Sequence, residues 1–198
     1  MTPAAMTYSS VVSRETVRIA LTLAALNGLQ VKSGDIRNAY ISAPCQEKIW
    51  TVLGPEWGQD RGKKAILVRA AYGLKSSGAA FRNHLADCMR FLGYKSCEAD
   101  PDLWMKKELK PEYASLKEGG GKNQGEAQDS GRNKKKRSWA EGDDSHKYYY
   151  SYILCYVDDI LCIHHDPLPI LTRLDKYFQF KPGSIGDPEF YLGSKIKR

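Results

Sequence analysis

Apolar residues recur every three or four positions in SRETVRIALTLAALNG (13–28), where Val17, Ala20, Leu21, Ala24 and Ala25 form one stripe. That period predicts a helix, with Ser13 as its N-cap, Glu15 near the positive end of its dipole and Gly28 as its stop. GLKSSGAAFRNHLADCMRFLGY (73–94) repeats the pattern through Phe81, Leu85, Cys88, Met89 and Leu92, opening after Ser76 and Ser77 and ending at Gly93. PLPILTRLDKYF (167–178) predicts a third helix. Elsewhere the period shortens to that of strands. LQVKSGDIRNAYISAP (29–44) reads as a strand that breaks into a turn near Asp35–Tyr40. KIWTVL (48–53) and AILVRA (65–70) form a hairpin across a Gly-rich, charged loop, and DLWMK (102–106) is a further strand. YYYSYILCYV (148–157) and DILCIH (159–164) follow as a tight pair, with a last strand at 188–196.

The main elements therefore run β-α-β-β-α-β. That order predicts an α+β fold: a split βαβ, ferredoxin-like antiparallel sheet with helices on one face, plus a small β insertion at 48–70. One segment departs from all periodicity. Residues 107–147 are rich in Gly, Lys, Glu, Asp and Ser and poor in large apolar side chains. Such a composition does not bury enough surface to offset ordering entropy, so it reads as a disordered low-complexity insertion. Its NKKKRS run (133–138) suits a solvated linker, or a nuclear-localisation or nucleic-acid contact.

The 198 residues are 42% hydrophobic, enough for a core, and carry a net charge of +7. This permits an anionic partner without establishing one, because part of the excess lies in the low-complexity segment. Five cysteines lack any C-x-x-C or metal-type spacing and read as reduced, small apolar residues. No apolar run approaches the roughly 18 residues of a membrane span. A soluble intracellular protein is the expectation.

The chemistry concentrates in YYYSYILCYVDDILCIHH (148–165), where Asp158 and Asp159 interrupt the most strand-like stretch of the chain. Two adjacent like charges in an apolar run are costly unless they sit at a turn. An acidic hairpin tip with no further role fits the hairpin taken alone. Asp35 adds a third acid, at the end of the 29–36 strand, which a split βαβ sheet brings beside the hairpin. Clustered carboxylates repel unless protonated or bridged by a cation, and Mg²⁺ favours a few carboxylates plus substrate phosphates. The trio fits a two-metal phosphoryl- or nucleotidyl-transfer site.

YVDD between apolar flanks resembles the catalytic hairpin of reverse transcriptases. GDIRNAYISAP resembles their first catalytic motif, with an aromatic five positions after the acid. RAAYGLKSSGAAFRNHL is similar to the copia-type ALYGLKQAPRAWY segment, CEADPDLWMKK to its SEADPCLY segment, and LDKYFQFKPGSIGDPEFYLGSKI to its FEMKDLGEANYFLGIEI segment. TYSSVVSRETVRIALTLAALNGL also resembles the lead-in of that group. The motifs stand in order and cover the chain outside 107–147. Gly78 stands where the family often has Pro.

The resemblance implies a copia-type retrotransposon reverse transcriptase domain: part of the fingers and the first part of a polymerase palm at 1–106, the insertion at 107–147, and the rest of the palm at 148–198. It implies Asp35, Asp158 and Asp159 as catalytic ligands of two Mg²⁺ ions, with Mn²⁺ as a substitute. Ile36 and the backbone of Arg37, Asn38 and Ala39 would face the triphosphate, Tyr40 would exclude a 2′-OH, and Tyr72, Gly73 and Lys75 would line the nucleotide and template side. Tyr156 and Val157 would lie near the primer terminus, and Tyr191, Leu192 and Gly193 would support the primer. Lys75 reads equally as a solvated lysine, and 191–196 as a plain edge strand. Implied partners are an RNA or DNA template–primer, dNTPs and other segments of a polyprotein (a basic fingers strand, thumb and RNase H), with no membrane. The implied location is the cytoplasm, in a virus-like particle, with access to the nucleus. A silent remnant that only binds nucleic acid through its basic insertion is the alternative.

Overall fold

The computed structural model describes residues 7–118 and 144–196. The predicted first helix is α1 (Arg14–Leu26), and the Ser13 hydroxyl accepts from the Thr16 N–H as the N-cap reading requires. Its stripe narrows to Val17, Ala20 and Ala24, and Ala25 is exposed. β1 (Gln30–Asp35) follows, and the chain turns through Asn38, which is left-handed at φ 50°, into the single-turn α2 (Ala39–Ser42). β2 (Trp50–Val52) and β3 (Lys64–Ile66) pair as a separate two-stranded sheet, the expected β insertion. Then come α3 (Ser77–Phe91), β4 (Lys95–Ser96), β5 (Leu103–Leu109) and α4 (Pro111–Glu118). Beyond the undescribed segment are β6 (Tyr148–Tyr156), β7 (Asp159–His164), α5 (Leu168–Phe178), β8 (Phe190–Tyr191) and β9 (Ser194–Lys195).

The fold is mixed α+β around one antiparallel five-stranded sheet, ordered β1-β7-β6-β5-β4. Its central strands are buried on both faces, which explains why ILCYV and ILCI read as near-continuous apolar runs. Ile153, Cys155, Ile160 and Cys162 pack with Phe81, Leu85 and Met89 of α3 and Leu171, Leu174 and Phe178 of α5. Leu154, Leu161 and Ile163 pack on the opposite face with Val17, Ala20 and Ala24 of α1. The two helices of the β-α-β-β-α-β pattern, α3 and α5, thus share one face as expected, while α1, which lies outside that pattern, covers the other, because alternate residues of β6 and β7 are apolar in both directions.

Two further expectations change. The final strand at 188–196 is instead the small β8–β9 hairpin, outside the main sheet. Leu192 and Gly193 both take positive φ at its tip (48° and 74°), the geometry that closes a two-residue hairpin loop. The edge beside β1 is taken by an irregular segment, through bridges of Phe180 to Ile36 and Gly186 to Ser33.

The insertion also starts later than composition suggested. Lys107, Glu108 and Leu109 continue β5, opposite Tyr150, Tyr149 and Tyr148, and α4 occupies 111–118. Cross-strand packing against tyrosines secures three residues whose own composition looks unstructured. A short 3₁₀ turn, Asp144–Lys147, leads back into β6, and the Lys110 N–H donates to the Lys147 carbonyl at 2.9 Å. The chain leaves and re-enters the sheet at one point. The remainder of the proposed insertion, including NKKKRS, lies outside the described residues. Among the described residues, no helix is long and apolar enough to cross a membrane.

Candidate acidic site at the β1–β7 edge

The β6–β7 hairpin turns through two residues, Val157 and Asp158, and Tyr156 pairs with Asp159 across its mouth. Val157 takes φ 54°, a conformation that a β-branched residue rarely adopts. The surrounding strands hold it there, so local strain is concentrated at the acid pair.

β1 lies against β7 in antiparallel register, placing Asp35 directly opposite Asp159. The Ile36 N–H donates to the Asp158 carbonyl at 2.8 Å, which fixes the hairpin tip against the end of β1. Sequence reasoning put Asp35 beside Asp158; the register makes Asp159 its direct cross-strand neighbour, with Asp158 on the adjoining turn. Asp159 senses the other two. Partial burial, then the charges of Asp158 and Asp35, push the Asp159 carboxyl above its usual range, and Lys181 pulls it back.

Lys181 was not singled out by sequence reasoning. Its Nζ donates to Asp35 Oδ2 at 2.6 Å, and this bond raises the lysine above its ordinary value, with Asp158 and Asp159 adding to the effect. The segment around it is tied to β1. The Lys181 N–H donates to the Asp35 carbonyl at 2.8 Å, and the Ser184 hydroxyl accepts from the Asp35 N–H at 3.2 Å. A lysine followed by Pro-Gly-Ser after a helix looks like an ordinary exposed turn, so only its tertiary placement reveals this role. The other Asp35 oxygen, Oδ1, is buried and has no hydrogen-bond partner among the described residues.

Asp35, Asp159, Ser184, Tyr191, Leu192 and Gly193 share one cleft of about 290 Å³. The structure therefore joins two of the acids with the expected primer-side hairpin. Tyr191 itself is buried, with its hydroxyl directed at the carbonyls of Leu154 and Asp159, both at 3.5 Å. Its buried ring forms part of the cleft wall and supports the end of the sheet. Tyr156 is exposed and Val157 half-buried at the hairpin tip.

The residues expected at the nucleotide divide. Tyr40 and Tyr72 lie in tilted contact, 4.8 Å between ring centroids, and Tyr72 is widely exposed. Neither ring lines the acidic cleft. Arg37, Asn38, Gly73 and Lys75 are exposed, with Gly73 at φ 92° in the turn before α3. The Ser77 hydroxyl clamps this turn, accepting from the Ala71 N–H and donating to the Ala71 carbonyl. Ile36 and Ala39 are core side chains, each 1% exposed. The Ile36 and Arg37 N–H groups are already bonded to Asp158 and Gln179 carbonyls.

Among the described residues no group of three or more His, Cys, Asp or Glu side chains converges closely enough to hold a metal ion. Asp35 instead holds the Lys181 ammonium, whose charge also acts on Asp159. Comparison with family models, with curated proteins and with solved structures finds no match for this chain.

Proposed function

We propose that this chain is the palm, with part of the fingers, of an RNA-directed DNA polymerase of copia type, which extends a primer 3′-OH with dNTPs along an RNA or DNA template. One observation carries the reading: Asp35 faces Asp159 across β1 and β7, while Asp158 occupies the adjoining strained turn. Three acids from segments that resemble two catalytic motifs are thereby brought to one sheet end, where the charges of Asp35 and Asp158 act on Asp159.

The donor set suits Mg²⁺ or Mn²⁺: hard carboxylate oxygens, with the buried Asp35 Oδ1 lacking a partner among the described residues. Asp35, Asp158 and Asp159 would hold the ions by drawing closer together than they stand in this structure. When bound, two such ions neutralise charge on a transferring phosphoryl group and favour ionisation of the attacking hydroxyl. The chain's own contribution is positional. The Ile36–Asp158 backbone bond and the β1–β7 ladder hold the acids in register. The exposed face of Tyr72, backed by Tyr40, provides an aromatic surface suited to stacking on a base. The remaining partners are the template–primer and the fingers strand, thumb and RNase H segments of a polyprotein.

Primer extension on poly(rA)/oligo(dT) with Mg²⁺ tests the reading. Incorporation by the parent chain that is lost in Asp158→Asn supports the polymerase. Salt-sensitive RNA binding with no incorporation supports a silent nucleic-acid-binding module instead.

A further inference from the structure

We propose that Lys181 is a built-in counter-ion of the acidic site, and that its ammonium must swing off Asp35 before a divalent cation can occupy the three carboxylates. The inference rests on the metal-binding reading of these acids and concerns how that site is regulated.

The geometry separates a fixed backbone from a movable side chain. Residues 179–186 are held along β1 by bonds from Arg37 N–H to the Gln179 carbonyl, from Lys181 N–H to the Asp35 carbonyl, and in both directions between Ser33 and Gly186. Phe180 is buried against Gly34, so the segment does not lift away cheaply. The Lys181 side chain, by contrast, is 51% exposed, and its flexible stem lets the ammonium leave Asp35 for water without disturbing this backbone. The ammonium occupies Asp35 Oδ2, while Oδ1 remains buried without a partner among the described residues.

A single positive charge balances one of three carboxylates. The site is therefore left with an excess of negative charge that attracts a dication, while its first oxygen is already taken. Metal entry exchanges one hydrogen-bonded cation for another. The cluster avoids full self-repulsion when empty, and metal affinity is lower than three bare carboxylates would give.

The test is direct Mn²⁺ binding by the full chain, followed by the electron-paramagnetic-resonance signal of free Mn²⁺. Lys181→Met should bind roughly five-fold tighter than the parent, the scale of a half-exposed ion pair. Lys176→Met, which removes the same charge from exposed α5, should bind like the parent. Equal or weaker binding by Lys181→Met overturns the proposal and leaves the metal reading standing. No binding by either protein removes the metal reading and the proposal together. A second measurement uses the parent alone: Mn²⁺ should raise the rate at which an acylating reagent modifies Lys181, read by peptide mass spectrometry, relative to Lys176. An unchanged ratio in protein that binds Mn²⁺ equally overturns the proposal.

Discussion

Gly34 and Phe180 approach so closely that a Cβ built on Gly34 would lie 2.5 Å from the Phe180 ring. No ordinary side chain tolerates that contact, so the glycine before Asp35 is what lets the 179–186 segment lie flat along β1. Gly34→Ala should lower stability by about 1–3 kcal/mol, the usual cost of overpacking. It should also weaken the Lys181–Asp35 pair. Urea denaturation measures the first effect and the rate of Lys181 acylation the second; an unchanged denaturation midpoint would show that the contact relaxes freely.

Arg82 on α3 grips Asp102 at the start of β5, with Nε to Oδ1 at 2.9 Å, and the Asp102 side chain is only 4% exposed. The Ser10 hydroxyl donates to the same carboxylate, and neighbouring Asp100 accepts from the Ser13 N–H at the head of α1. The ADPD segment thus fastens three parts of the chain together. Asp102→Ala leaves the guanidinium without its partner and should cost about 3 kcal/mol. A loss under about 1 kcal/mol in thermal or urea unfolding would contradict this account.

Deleting 107–147 removes the last three residue pairs of β5 with β6, whereas a cut confined to 112–145, closed by a short Gly-containing turn, keeps them. The Lys110–Lys147 bond already brings the two ends together. The shorter deletion should leave the denaturation midpoint nearly unchanged, and the longer one should lower it clearly. Equal effects would mean that the β5–β6 ladder stops short of Leu109.

His164 sits half-buried at the far end of β7, where burial lowers its proton affinity below the ordinary value; Glu108 and Asp166 oppose the shift and His165 reinforces it. Its Nδ1 accepts the Asp166 N–H at 2.8 Å, which requires the neutral ring. Between the lowered folded value and the usual histidine value of about 6.5, the unfolded chain binds more protons than the folded one. This residue's contribution is therefore complete above that window and is lost as pH falls through it. His164→Gln should flatten the pH dependence of the urea midpoint there; an unaltered slope would assign it to other groups.

Tyr40→Ala should relax discrimination against rNTPs in an actively polymerising preparation, because the ring proposed to meet a 2′-OH is gone. The ratio of rNTP to dNTP incorporation measures this, and an unaltered ratio would leave Tyr40 as a packing partner of Tyr72 and Phe81 alone.

Periodicity exposed α1, α3, α5 and the β6–β7 hairpin well, because their apolar spacing is local, and missed the short α2 and α4. It missed the strand extension at Lys107–Leu109, where pairing to tyrosines overrides a polar composition. It also merged β8 and β9 into one strand, since Leu192 and Gly193 resemble continuing strand residues until their positive φ values are seen. The acids were legible as residue types, whereas their register was not. Lys181 was invisible as a participant because its partner lies 146 residues away.

That separation has a kinetic side. The hairpin bearing Asp158 and Asp159 closes through a two-residue turn and can form early, with its acids mutually repelling and uncompensated. Asp35 and Lys181 come from opposite ends of the chain, and joining them requires the sheet to close over its full contact order. The charge balance of the site is thus a property of the finished fold, reached only after the slowest contacts are made.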